Sequence, residues 1–146
     1  MPAHAEFAGC RALVLDDQED VADLLSEMVR LIGCETATEY DPQIALRRIE
    51  EGSFDVILSD YCMPEMDGQE FYRAAIALRP ELAPRIIFIT GDSMNDETLR
   101  FLCTTGAPWL LKPFRLASVE EAIREALKSA ALSYFAGGAE MALGAE

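Results

Sequence analysis

The sequence predicts an α/β fold: a doubly wound, five-stranded parallel sheet in the order 2-1-3-4-5. Three observations predict it. Short apolar runs alternate five times with segments of helical periodicity. Three of those runs, at residues 12–15, 54–59 and 85–90, are almost continuously apolar, as strands covered on both faces must be. The other two are edge-like. Residues 34–38, Cys-Glu-Thr-Ala-Thr, are partly polar, and residues 107–111 contain Pro108, which cannot donate a ladder hydrogen bond. Two edges around three central strands fit the doubly wound order.

Each element has its own signal. The first strand, 12–15, stops at the acid pair Asp16-Asp17. The first helix, 20–32, carries Val21, Leu24, Leu25, Met28, Val29 and Ile32 at helical spacing and closes at Gly33. Asp41-Pro42 reads as an N-cap followed by proline at the first helical position, with that helix stopping near Gly52. The third strand, 54–59, runs into Asp60. The third helix covers about 68–78 and ends before Pro80. After the fourth strand, a helix over about 95–105 ends at Gly106. The last helix is expected to open with Ser118 and Glu121 in capping-box spacing and to bury Val119, Ala122, Ile123, Ala126 and Leu127.

Composition narrows the function. At 146 residues and 51% hydrophobic, the chain suits one domain with an ordinary core, assigned to residues 10–131. Residues 132–146, LSYFAGGAEMALGAE, differ in character; Gly137-Gly138 should break the helix, leaving a C-terminal tail or linker. Acids outnumber bases by 26 to 12, for a net charge of −14, which argues against direct nucleic-acid binding. No apolar run approaches the roughly 20 residues needed to cross a bilayer, so membrane insertion is not expected. The opening MPAHAEFAGC lacks a basic segment followed by an apolar stretch, so no signal peptide is read there and a cytoplasmic location is expected. Cys10, Cys34, Cys62 and Cys103 lack C-x-x-C spacing, and the single His4 lies near the terminus. A zinc site is therefore poorly supported, and the thiols are expected to be reduced.

In such a sheet, chemistry gathers at the carboxyl ends of the strands. The first strand ends at Asp16-Asp17, the third at Asp60, the fourth at Thr90 and the fifth at Lys112. The strand order brings all five residues to one pocket. Two like charges about 4 Å apart repel by roughly 4 kcal/mol at an effective dielectric near 20, so three carboxylates there need a cation, a shared proton or a base. Mg²⁺ suits carboxylate oxygens and keeps waters that a phosphate oxygen can replace. Lys112 adds a point charge and Thr90 a hydroxyl donor. Together these are the parts of phosphoryl transfer to a carboxylate. Singly, each has a plain structural reading as a cap, a turn or a surface charge; their joint occurrence at four strand ends does not.

The segments LVLDDQED, DVILSDYCMPEMDG, IIFITGD and LLKPF resemble the receiver domain of response regulators and hybrid sensor histidine kinases in two-component systems, over about residues 10–130. The resemblance implies the flavodoxin-like strand order, and a signalling module rather than an enzyme. It makes Asp60 the phosphoacceptor. Asp17, Asp60 and the backbone carbonyl of Cys62 would ligate Mg²⁺ directly, with Asp16 acting through water. Lys112 would pair with the acceptor and then with the phosphoryl group, while Thr90 would hydrogen-bond a phosphoryl oxygen. Trp109 takes the aromatic switch position, where Tyr or Phe is usual, and Lys112-Pro113 is cis in many such domains. The implied partners are a histidine kinase or a histidine phosphotransfer domain. A downstream effector or a homodimer would use the face of the fourth helix, fifth strand and fifth helix. Cys62 and Asp92, each two residues past a strand-end group, are expected to tune water access to the acyl phosphate.

Three other functions remain as alternatives. An Asp-nucleophile phosphatase of the haloacid-dehalogenase type needs D-x-D after the first strand, where this chain has adjacent acids. A flavodoxin-like FMN module needs a phosphate loop that Asp16-Asp17 would repel. A receiver-shaped interaction domain without phosphorylation would not need the acceptor set.

Overall fold

A computed structural model describes residues 6–91 and 95–128. Ten elements alternate as β1 (Arg11–Leu15), α1 (Glu19–Ile32), β2 (Glu35–Glu39), α2 (Pro42–Glu51), β3 (Val56–Asp60), α3 (Gly68–Leu78), β4 (Ile86–Thr90), α4 (Asp96–Thr105), β5 (Trp109–Leu111) and α5, which is helical over residues 116–128. A 3₁₀ segment, Pro80–Arg85, joins α3 to β4. The five strands form one sheet in the order β2-β1-β3-β4-β5, with every pairing parallel. This is the predicted doubly wound, flavodoxin-like order.

Alternation along the central strands sends side chains to two cores. Ala12, Val14, Val56, Leu58, Ile87 and Ile89 face one, closed by α1 and α5. Leu13, Leu15, Ile57, Ile86 and Phe88 face the other, closed by α2, α3 and α4. Every residue of β3 and β4 is buried, whereas β2 is half-buried and β5 partly exposed. The apolar-run argument for centre and edge therefore holds on the observed packing.

Local chemistry sets the boundaries. Asp41 caps α2 by accepting from Gln43 N–H, with Pro42 in the first turn, and Asn95 caps α4 by accepting from Thr98 N–H. Gly106 ends α4 in the left-handed region at φ +76°, where a Cβ would be strained.

The predicted α5 capping box fails. The helix begins two residues before Ser118, and the Val119 amide donates to the Arg115 carbonyl, so Ser118 lies inside the first turn. Val119, Ala122, Ile123 and Ala126 are buried and Leu127 packs partly against them. Leu24 also departs from its expected place: it is 52% exposed, on the outer side of α1. Pro108 lies just ahead of β5 rather than within it, and β3 includes Asp60 as its last residue. His4, Asp92 and the segment 132–146 lie outside the described residues, as does the end of the proposed 10–131 unit.

Candidate phosphoacceptor site

The site is built where β1, β3, β4 and β5 end together. Leu15 leads into Asp16, whose amide donates to the Glu39 carbonyl (3.2 Å). The Asp16 carboxylate accepts from the Gln18 amide (2.9 Å), turning the chain into α1. Gln18 stands at the N-cap of α1 without a side-chain cap, so this aspartate orders the entry to the helix. Asp60 closes β3, with Ile89 of β4 as its cross-strand partner.

Beyond Asp60 the chain is held by two backbone bonds, Tyr61 N–H to Ile89 O (2.9 Å) and Gly68 N–H to Tyr61 O (2.8 Å). Asp67 and Glu70 then form a capping box that starts α3. Gly68 has a steric reason to be glycine. A Cβ there would come within 2.2 Å of the Tyr61 ring, which is buried edge-on against Phe88 at a centroid separation of 5.5 Å. The loop past the acceptor is thus fixed by an aromatic ring lying against bare backbone. Residue spacing gives no depth, so this role of Tyr61 is not legible in the sequence; a Tyr continuing the apolar β3 run is the only signal there.

Asp16, Asp17 and Asp60 each offer a carboxylate oxygen within 4.8 Å of the others. Asp16 and Asp60 are buried, at 2% and 5% exposure, and Asp17 lies nearer solvent. Lys112 follows β5, where its amide donates to the Thr90 carbonyl (2.8 Å), and the Lys112-Pro113 peptide is cis. Its ammonium lies 3.1 Å from Asp60 Oδ1 and 3.4 Å from Asp16 Oδ2. One cation therefore answers two buried carboxylates.

Burial governs the charges here. It is the main cause that pushes Asp60 up to about 6, with Asp16 adding to the shift and Lys112 opposing it. Burial also raises Asp16, against the Gln18 amide and Lys112. Burial disfavours the charged form of Lys112, but the Asp60 and Asp16 carboxylates outweigh it and hold the ammonium above its ordinary range. Three acids and one base leave excess negative charge. The donor set is all hard oxygen, which fits Mg²⁺ and not a thiophilic metal.

Thr90 is buried at the end of β4. By alternation it shares the sheet face of Phe88 and Trp109, and Phe88 and Trp109 are cross-strand partners. Trp109 is half-buried against the core under α2, α3 and α4. Cys62 is exposed next to the site, where burial and the Asp60 charge raise its thiol.

A family model described as "Response regulator receiver domain" matches residues 12–124. The chain belongs to this family. Receiver domains are signalling modules, so neither the hydrolase nor the flavin reading stands for this chain. Among curated proteins, it is similar to the transcriptional regulatory protein PrrA of Mycobacterium bovis, at 32% identity over 118 residues, or 81% of this chain and 50% of that one. The chain spans about half the length of this relative. A solved receiver domain protein (CheY-like) from Methanospirillum hungatei superposes with a TM-score of 0.76 at 27% identity, covering 85% of this chain and 98% of that one. The beryllofluoride-activated NtrC4 receiver domain dimer gives 0.73 at 28% identity, covering 82% and 98%. No helix among the described residues is long and apolar enough to cross a membrane.

Proposed function

We propose that Asp60 of this receiver domain accepts a phosphoryl group from a phosphohistidine, carried by a histidine kinase or a histidine phosphotransfer domain. The reading rests on one observation: the Asp16, Asp17 and Asp60 carboxylates converge within 4.8 Å while the Lys112 ammonium stands 3.1 Å from Asp60. Asp17, Asp60 and the Cys62 carbonyl would hold one Mg²⁺, with Asp16 acting through water. Bound there, the ion would neutralise charge on the acceptor and on the incoming phosphoryl oxygens.

An Asp60 oxygen forms the new P–O bond as the P–N bond to the donor imidazole breaks. Lys112, bridging Asp60 and Asp16 beforehand, then pairs with a phosphoryl oxygen. Thr90 donates its hydroxyl to another, and its movement draws on Trp109, its neighbour along one sheet face. The α4-β5-α5 face would change shape as this pair moves, favouring a homodimer or a downstream effector. The activated dimer formed by the similar NtrC4 receiver supports the dimer form of this proposal. We assign the unit to residues 10–131, with 132–146 as a tail or linker. The strongly acidic composition disfavours direct nucleic-acid contact.

The test is chemical. Acetyl phosphate with Mg²⁺ should add one phosphoryl group to the wild-type chain and none to an Asp60→Asn variant. Equal reaction of the two proteins would refute Asp60 as acceptor.

A further inference from the structure

At the end of the sheet opposite Asp60, two cysteines face one another across adjacent strands. The β1–β2 register pairs Arg11 with Glu35, so the preceding residues, Cys10 and Cys34, stand opposite each other. The ladder extends to them, because the Glu35 amide donates to the Cys10 carbonyl (2.8 Å). Both side chains enter the same core, the one closed by α1 and α5. Both sulfurs are free thiols, and the residues are 6% and 4% exposed. Neighbouring strands lie about 4.8 Å apart, within the Cα separation that a disulfide tolerates. Cys62 and Cys103, by contrast, are exposed on separate elements, the loop after β3 and helix α4.

From this geometry we infer that Cys10 and Cys34 are a redox modification site, at which a peroxide converts the two thiols into one intramolecular disulfide tying edge strand β2 to β1. Each thiol is the other's interacting neighbour in this core. The thiolate of one cysteine attacks one peroxide oxygen, the O–O bond breaks, and a sulfenic acid and a water result once the leaving oxygen takes up a proton. The sulfur of the other cysteine then attacks that sulfenic sulfur, the S–O bond breaks, and a second water leaves. Two thiols lose two electrons in total, and the peroxide is reduced to two waters. A peroxide is small enough to reach sulfurs this little exposed, which a bulky disulfide reagent is not. The bond would fix the turn after α1, whose other end follows the acid pair at the phosphoacceptor site.

The test uses the full chain, fully reduced, freed of reductant and treated with hydrogen peroxide while folded. Remaining thiols are then alkylated in denaturant and the peptides analysed by mass spectrometry. The expected product is a peptide pair from one chain joined through Cys10 and Cys34, lighter by two hydrogens and restored by dithiothreitol. Either Cys10→Ser or Cys34→Ser should abolish it. The same link should form in a Cys62→Ser/Cys103→Ser protein, and oxidation should raise that protein's urea midpoint. The proposal is overturned if Cys10 and Cys34 stay alkylatable while Cys62 and Cys103 oxidise. It is equally overturned if the link joins two chains, or forms only after denaturation.

Discussion

Replacing Asp60 by Asn should stabilise the chain in the absence of divalent ions. Asp60 is buried beside Asp16, and its carboxyl is pushed from 3.8 up to about 6. Folding therefore opposes its ionisation. That rise corresponds to about 3 kcal/mol of lost stability once the group is charged. The sign comes from proton linkage. Below the unfolded value the carboxyl is neutral in both states and the penalty is absent. It grows as pH rises between the two values and is complete above about 6. Asn keeps the shape of the side chain and removes the charge, while Lys112 keeps its contact with Asp16 at 3.4 Å. The attraction of Lys112 is already contained in that net rise, so the variant should gain about 2–3 kcal/mol at about pH 8. Urea unfolding in EDTA at about pH 8 and again near pH 4 measures it, with the variant's advantage confined to the higher pH. Mg²⁺ should reverse the order by stabilising the wild type selectively. An advantage of the same size at both pH values, or none at either, would refute the claim that a buried charge at Asp60 strains this fold.

Three further outcomes are expected. Gly68→Ala should destabilise by about 1–3 kcal/mol, because its Cβ would overlap the Tyr61 ring; in a Tyr61→Ala background much of that penalty should disappear, which a double-mutant cycle in urea would show. Asp67→Ala removes the acceptor of the Glu70 amide at the start of α3 and should lower stability by about 1 kcal/mol in the same assay. Trp109 is the single tryptophan, so its fluorescence should change when beryllofluoride and Mg²⁺ are added to the wild type and stay constant in Asp60→Asn; unchanged emission in both would remove Trp109 from the switch.

Much of the fold and site is legible in the sequence, for physical reasons that differ by residue. The acid pair, Asp60, Thr90 and Lys112 each end an apolar run, and a parallel sheet brings the ends of its strands to one edge. Asp16, Asp60 and Lys112 are indeed in contact or nearly so. Asp41 announces its helix because a short polar side chain ahead of a periodic run satisfies free amides. Ser118 misleads by the same logic. Its spacing to Glu121 fits a capping box, but the helix already starts at residue 116, so Ser118 lies inside the first turn, where its spacing carries no capping role. Leu24 matches the helical period yet faces outward, because period identifies a face and not its limits. The 3₁₀ segment between Pro80 and Arg85 is not legible, because a proline breaks a helix without dictating the conformation of the residues beyond it. The Tyr61–Gly68 contact and the Cys10–Cys34 pairing depend on register and depth, which no spacing rule supplies.

Localising the acyl phosphate tests the central claim most directly. After reaction with acetyl phosphate and Mg²⁺, borohydride reduction converts a phosphorylated aspartate to homoserine. Peptide sequencing by mass spectrometry should then find homoserine at position 60 and at no other acidic residue. Homoserine at Asp16 or Asp17 instead, or at no position although phosphate has been incorporated, would contradict the account.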